Sequence, residues 1–579
     1  MKLVETDNSL YHGAQPNLSS TGGEGGNRLP TILFGIVLLL STLNALYQYL
    51  GAGRDDVFIT LWVGKTLGTG SWFINYNGEP QEISSSILGA LIAKFAYICC
   101  AANYYLANKL FGWGATLAAL AVIWFQRRTF FHQSPAFSAI AMAMLLSFNP
   151  SFAYWSLGGL ETPYYALLIL LYVALASQIF NPSGMETERV YHYLAIVQIL
   201  AILCRPEGFW LIGATLTLLW LYWRTVPDRL ARTIKATILP PLVFLMALFA
   251  IRHTMTGALF PNPVYAKVSV SHLGSFQEGW DYLSTFYSTG LLGILLFGTT
   301  VLSFVLVGHA TFKRFFSNLE SAQLESRFLA PALCICAYET FVVIVKGDWM
   351  EYHRFMTPTL GLKILLLVML AGKLHGLTFS HSRRLASASV AMILFLVMTD
   401  ESRYRSPLDC STRLSSDFIG KFLHHPNNAT IGLNCAHQRD GYAIRSFIEQ
   451  GLPQYLAQKG HLTIVTYQGG YFPYFLREKF SPREITLVDT AGLLNLEIAR
   501  VEGEKIPTGN KYLDDIPAIL GGQVPGLSER VLRYHPNMIY MLGESETYQA
   551  RLEAIGFDRI YQAPGAVVYL KTHAGPLVK

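Results

Sequence analysis

Of 579 residues, 52% are hydrophobic and only 14% are charged, against about 25% charged in a soluble domain. This excludes a wholly soluble protein and leaves an integral membrane protein with a soluble part, since charge concentrates after Asp400. The net charge of +6 lies largely in short loops between apolar runs, so it implies no nucleic-acid partner.

Residues 1–28 are polar and Ser/Gly-rich and contain no apolar core of a signal peptide; they read as a disordered cytoplasmic tail. Apolar runs follow at 29–51, 102–126, 133–149, 161–180, 190–205, 207–223, 235–254, 287–309, 328–346, 354–375 and 383–399. At about 20 residues per crossing they predict about eleven spans. The stretch 83–98 is short and holds Lys94, so it reads as an interfacial or re-entrant helix. With the N-terminus in the cytoplasm, Arg127, Arg128, Arg189, Arg224, Arg229, Arg232, Lys235, Lys313, Arg314, Arg327, Lys373, Arg383 and Arg384 all fall inside. The expected organisation is a multi-pass α-helical membrane bundle over 29–399, with an outer loop at 52–101, then an extracytoplasmic α/β domain over 400–579.

In that last part, β-rich runs at 429–435, 461–467, 484–489, 537–542 and 566–571 alternate with helical patterns at 417–425, 439–458 and 545–556. A parallel or mixed sheet covered by helices is the expected outcome. Cys99, Cys100, Cys204, Cys334 and Cys336 lie in apolar runs and read as packing residues; Cys410 and Cys435 can pair if their domain is outside the cytoplasm. No Cys or His spacing indicates zinc.

This topology gathers the unusual polar sequence on the outer face. The first loop opens with Asp55 and Asp56. Glu161 opens a span, Arg205-Pro-Glu207 breaks two apolar runs, and Asn262 and Lys267 share a loop. Asp348, Glu351, His353 and Arg354 precede another span. Each has a plain structural alternative: Arg205 with Glu207 as a salt-bridged kink, Glu161 as a helix N-terminal carboxylate, Asp348 with Arg354 as a simple pair, Lys267 as a snorkelling lysine, His353 as an interface residue, and Asp55 with Asp56 as solvated charges. Five clusters on one face instead point to a shared cavity, because ionisable groups at the edges of spans usually face a cavity or each other. A cavity with carboxylates and cations, walled by apolar helices, suits an amphipathic polyprenyl-phosphate sugar. Asp55 or Asp56 would supply the base, with Arg205, Lys267 and Arg354 as candidates for the phosphate.

An acidic pair on the first outer loop resembles the hallmark of the GT-C superfamily of polyprenyl-phosphate glycosyltransferases. Within it, DDVFITLWVGKTLGTGSWFINYNG, EISSSILGAL, NPSFAYWSLGGLETPYYALL, LAILCRPEG, TGALFPNPVYAK, KGDWMEYHRFMTP and LVDTAGLLNLEIAR are similar, in order, to the arabinofuranosyltransferase group, which includes mycobacterial terminal β-(1→2) and pilin arabinosyltransferases. The resemblance implies an inverting enzyme of the bacterial inner membrane, with its active site and C-terminal domain at the periplasmic face. The implied donor is a polyprenyl-phosphate sugar such as decaprenyl-phospho-arabinofuranose; the acceptor is a glycan or pilin. It makes Asp55 and Asp56 the catalytic pair and assigns Glu161, Arg205, Glu207, Lys267 and Asp348 to the cavity; Asn262 and Arg354 join them from the polar clusters. EPQEISSS departs from the group's usual Gly-Tyr-Thr-Ser run, which leaves the sugar open. No cofactor is required, and the carboxylates leave a divalent metal open. Two other classes fit the same cavity: a transporter or flippase for lipid-linked sugars, and a non-enzymatic pilus or flagellar assembly factor on this scaffold.

Overall fold

The computed structural model describes residues 28–49, 55–68, 73–131, 134–181, 188–224, 226–267, 274–316, 325–348, 350–378, 445–466, 469–500, 527–542, 546–563 and 566–572. The tail 1–28 but for Arg28, the candidate span 383–399, Cys410, Cys435, the strand candidate 429–435 and the helix candidate 417–425 lie outside the described residues.

Each of the other candidate spans coincides with a helix. Leu29–Tyr49, Tyr104–Phe125, Thr162–Ile179, Leu239–Thr256, Leu291–Phe316, Ser326–Ile344 and Thr357–Thr378 are the long ones. Among the described residues, 7 helices are long and apolar enough to cross a membrane, or up to 8 if a bent pair counts as one span. That pair is Pro135–Phe148 and Pro150–Ser156, bent by 73°. Pro150 cannot continue a helix, and the Asn149 side chain accepts from the amides of Ser151 and Phe152 to restart it. Glu188–Cys204 and Trp210–Trp223 are shorter, with 17 and 14 residues, and flank the Arg205 break. The segment expected at the interface forms Ile87–Cys99; at 13 residues, or about 20 Å, it is too short to span. Cys99 and Cys100 at its end are exposed rather than packed, whereas Cys204, Cys334 and Cys336 are buried.

Prolines 240 and 241 follow a π turn at Ile234–Ile238. They donate no amide, and the Thr237 carbonyl accepts instead from Gln198 Nε2 at 3.1 Å. The bundle also buries an ion pair, Lys363 Nζ to Glu339 Oε1 at 2.7 Å, with Thr300 and Tyr287 donating to the same carboxylate.

The bundle has two distinct ends. At one, Gln178 bonds Gln126 at 3.0 Å, Ser326 bonds the Ser177 carbonyl at 2.9 Å, Arg224 bonds the Arg314 carbonyl at 2.9 Å, and Lys373 pairs with Glu325 at 3.9 Å. The basic loops therefore share one end. Glu161 begins the Thr162–Ile179 helix and lies at the other, about 27 Å away along its 18 residues.

The C-terminal part carries a five-stranded mixed sheet of order β2-β1-β3-β5-β4. The strands are β1 Leu462–Thr466, β2 Ile485–Asp489, β3 Met538–Leu542, β4 Phe557–Ala563 and β5 Ala566–Lys571. β1 runs parallel to β2 and β3, and β5 is antiparallel to β3 and β4. β4 was not expected from the sequence: a register shift between Arg559 and Tyr561 interrupts the period-two pattern that marks a strand. The Tyr471–Lys479 helix follows β1 and packs on the sheet, with Phe472 stacked on Tyr540 at 4.1 Å.

Candidate active site

Asp55 and Asp56 begin a second short helix, Asp56–Thr66, whose sequence is apolar on all sides. It is buried because it lies between the Ile87–Cys99 helix and the C-terminal domain. A Cβ at Gly64 would come within 2.7 Å of the Ala93 Cβ, so only glycine permits this approach. On the other side the Phe58 ring meets Tyr471 at 5.0 Å and Tyr474 at 5.3 Å. The loop after this helix is thus an inner layer between membrane bundle and sheet.

The Asp55 carboxylate lies at the N-terminus of the Tyr471–Lys479 helix. Gly470 N donates to Oδ2 at 2.9 Å and Tyr471 N donates to Oδ1. A helix N-terminus favours a carboxylate there. Burial outweighs these bonds and, with the charges of Asp56 and Asp489, pushes the Asp55 pKa up to about 7. Gly470 has no room for a side chain, since a Cβ would fall 1.9 Å from the Asp55 carbonyl oxygen.

Asp489 ends β2 and is fully buried. It accepts from the amides of Ala491 at 2.9 Å, Leu493 at 2.7 Å and Leu494 at 3.2 Å, which folds the following loop around its carboxylate. Burial pushes its pKa up to about 7 against those three bonds, and the Asp56 charge adds to the rise. Asp489 and Gly470 follow adjacent parallel strands, so both lie at the carboxyl ends of the sheet, where α/β sheets form their crevices. The sequence carried a signal for Asp489, an acidic residue closing an apolar run before a Thr-Ala-Gly turn, but nothing local tied it to Asp56.

A second group of charges adjoins the first. Arg205 Nη1 bonds Glu161 Oε1 at 2.5 Å and its Nε bonds Glu207. Arg354 Nε pairs with Asp348 Oδ2 at 2.6 Å. Both guanidinium groups face the Phe355 ring, at 4.8 Å for Arg205 and 5.4 Å for Arg354. Arg354 also feels the charges of Glu161 and Asp56, which makes it the link between the two groups. All five of Glu161, Arg205, Glu207, Asp348 and Arg354 are buried.

The approach to Arg354 is strained. Tyr352 and His353 both have left-handed backbones, with φ of 53° and 47°. Such positions cost on the order of 1–3 kcal/mol each and cluster at functional sites. Packing offsets the cost: Tyr352 stacks on Tyr154 at 4.6 Å, and the His353 ring contacts Tyr282 at 5.1 Å and Phe286 at 5.5 Å. The His353 ring is thus packed among aromatic side chains.

Asn262 is engaged in joining elements. Its Nδ2 donates to Gln81 Oε1 at 3.1 Å and to the Leu493 carbonyl at 3.2 Å, and its amide donates to the Glu82 carbonyl at 2.9 Å. Glu82 in turn holds Arg252 with two bonds of 2.7 Å. Neither Glu82 nor Arg252 stood out in the sequence, because 170 residues separate them. Lys267 ends the Asn262–Lys267 helix, and its side chain lies outside what is described. Among the described residues, no three His, Cys, Asp or Glu side chains are placed to hold a metal ion.

Among the solved structures similar to this chain are the following two. ArnT from Cupriavidus metallidurans in the apo state matches with a TM-score of 0.51 and 16% identity, over 94% of this chain and 99% of that one. The Archaeoglobus fulgidus oligosaccharyltransferase, tethered with an acceptor peptide containing the NVT sequon via a disulfide bond, matches with a TM-score of 0.50 and 10% identity, over 95% of this chain and 75% of that one. At these identities the likeness is one of fold, and the fold is GT-C. No family model and no curated protein sequence matches the chain.

Proposed function

We propose that the chain is an inverting glycosyltransferase that moves a sugar from a polyprenyl-phosphate donor to a glycan or protein acceptor at the periplasmic face of a bacterial inner membrane. The observation that carries this reading is that two buried charge groups lie within electrostatic reach of one another. The charge of Asp56 acts on Asp55, Asp489 and Arg354, and Arg354 shares the Phe355 ring with Arg205, at the bundle end away from the basic loops. A base and a cationic site side by side is what glycosyl transfer from a phosphate requires.

In this mechanism the acceptor hydroxyl gives its proton to the Asp55–Asp56 pair. Its oxygen bonds the anomeric carbon on one face as the bond to the phosphate oxygen breaks on the other. The polyprenyl phosphate departs with the electron pair, beside Arg354 and Arg205, with Lys267 a further candidate on the motif resemblance alone. Glu161, Glu207 and Asp348 hold the two arginines in place and moderate their charge, so the lipid phosphate can leave. Proton uptake is assigned to the pair and not to one named member. Asp55 is held by two backbone amides, and the charge of Asp56 acts on Asp55, Asp489 and Arg354.

Arabinofuranose is the sugar we assign, on the ordered motifs from Asp55 to Arg500. The test is turnover of decaprenyl-phosphoryl-arabinofuranose, against the mannose and glucose analogues, in membranes with and without the protein. Preference for the arabinose donor is expected; equal use of all three, or of none, would reject the assignment.

A further inference from the structure

The Tyr471–Lys479 helix touches the first loop at both of its ends. At its N-terminus the amides of Gly470 and Tyr471 hold Asp55. At its last turn Arg477 reaches the same loop further on, at Tyr76 and Asn77. Arg477 Nε donates to the Tyr76 carbonyl, and Nη2 donates to Asn77 Oδ1 at 3.2 Å and to the Ile485 carbonyl at 2.6 Å.

Asn77 itself occupies the open side of β2, the edge strand of the sheet. Its Nδ2 donates to the Leu487 carbonyl at 2.8 Å, and its Oδ1 accepts from the Leu487 amide at 2.8 Å. One carboxamide thus makes the pair of bonds that a neighbouring strand would make at that residue. It satisfies an edge that would otherwise offer free backbone groups. The Asn75 side chain presents Asn77 for this role by accepting from the Asn77 and Glu79 amides, both at 2.9 Å, around Gly78 at φ 81°. The fully buried Tyr76 has its hydroxyl 3.3 Å from both the Phe58 and the Gly470 carbonyl oxygens, which couples this turn back to the Asp55 end.

We propose that Asn77 and Arg477 form a clasp that sets the distance between the Asp55 carboxylate and the helix amides, which makes them positioning residues for the transfer reaction. This rests on the function proposed above. The helix is nine residues long, about 13 Å, and stiff over that length. Fixing its far end therefore limits how its N-terminus can move against Asp55. The contacts also explain why Asn75 and Tyr76 are buried between the first loop and the sheet, with Asn77 half-buried beside them.

The test uses the full-length protein in lipid nanodiscs with Asn77→Ala and Arg477→Ala. Amide exchange is read at Leu487, Gly470 and Tyr471, with the Ser326–Ile344 helix as folding control. Turnover of decaprenyl-phosphoryl-arabinofuranose is measured alongside. Loss of the Asn77 bonds should speed exchange at Leu487 directly, and both variants should speed it at Tyr471 by roughly tenfold, the scale of one hydrogen bond. Turnover at saturating donor should fall by roughly tenfold to a hundredfold, the scale of a small misplacement, with the donor KM little changed. The clasp is overturned if Tyr471 stays protected in both variants, or if it loses protection while turnover is unchanged. If the wild-type protein turns over no donor, the functional reading fails while the exchange data still decide whether the clasp holds Tyr471.

Discussion

The Asp55 carboxylate accepts hydrogen bonds from the backbone of Gly470 and Tyr471, 415 and 416 residues away along the chain. The first loop of the membrane bundle and the C-terminal domain therefore build one site together. Gly470 tests this contact most simply. A methyl group there would overlap the Asp55 backbone. Gly470→Ala is expected to lower turnover by about 10²-fold, as misplacement of a reacting group does. Thermal unfolding of the bundle should be little affected; unchanged turnover would mean that Asp55 does not need this seat.

Asp489 gives a second prediction. Three amides converge on its carboxylate, and an asparagine at that position would turn its NH2 toward at least one of them. Asp489→Asn is expected to loosen the 490–495 loop and with it the Asn75 and Asn262 contacts to Leu494 and Leu493. Limited proteolysis should then cleave this loop faster than in wild type, and the loss of a charged hydrogen-bonding group should cost about 1.5–3 kcal/mol.

Protonation sets a pH dependence. Asp55 lies at about 7 in the folded protein, so turnover should rise as pH increases through about 7 and level off above it. Stability runs the opposite way. Asp55 and Asp489 are raised from 3.8 to about 7, so between those values the folded protein binds more protons than the unfolded chain. Their contribution to stability is greatest at the acid end of that window and is lost as pH rises through about 7. Melting temperature measured from pH 5 to pH 8 should show this fall, and it should be smaller in Asp489→Ala.

Much of this architecture is legible in the sequence because membrane spans announce themselves by length and apolarity. Glu161, Arg205 and Arg354 stood out because charges interrupt such runs. What joined them did not. Arg354 is placed by a left-handed turn at Tyr352 and His353, and left-handed conformations are not written in those residue types. Nothing in the sequence singles out Gly470, whose requirement comes from its approach to Asp55. Asn77 lay inside a recognised motif, but its partner is the backbone of Leu487, which no side-chain pattern reveals.

The Arg205 cluster separates structural from functional roles. Arg205→Met leaves Glu161 and Glu207 buried without their cation, and should destabilise the protein by about 3–5 kcal/mol. Adding Glu161→Gln and Glu207→Gln should recover most of that stability in thermal unfolding. Turnover should stay lost in the triple variant, because the cation beside the departing phosphate is gone. Recovery of both would assign the cluster to structure only.

The central claim is that the Asp55–Asp56 pair accepts the proton from the acceptor. The most direct measurement is turnover of labelled decaprenyl-phosphoryl-arabinofuranose by wild type, Asp55→Asn, Asp56→Asn and the double variant, with melting temperature as the control for folding. The double variant is expected to melt as a folded protein and to transfer no sugar. A double variant that transfers at the wild-type rate would contradict it.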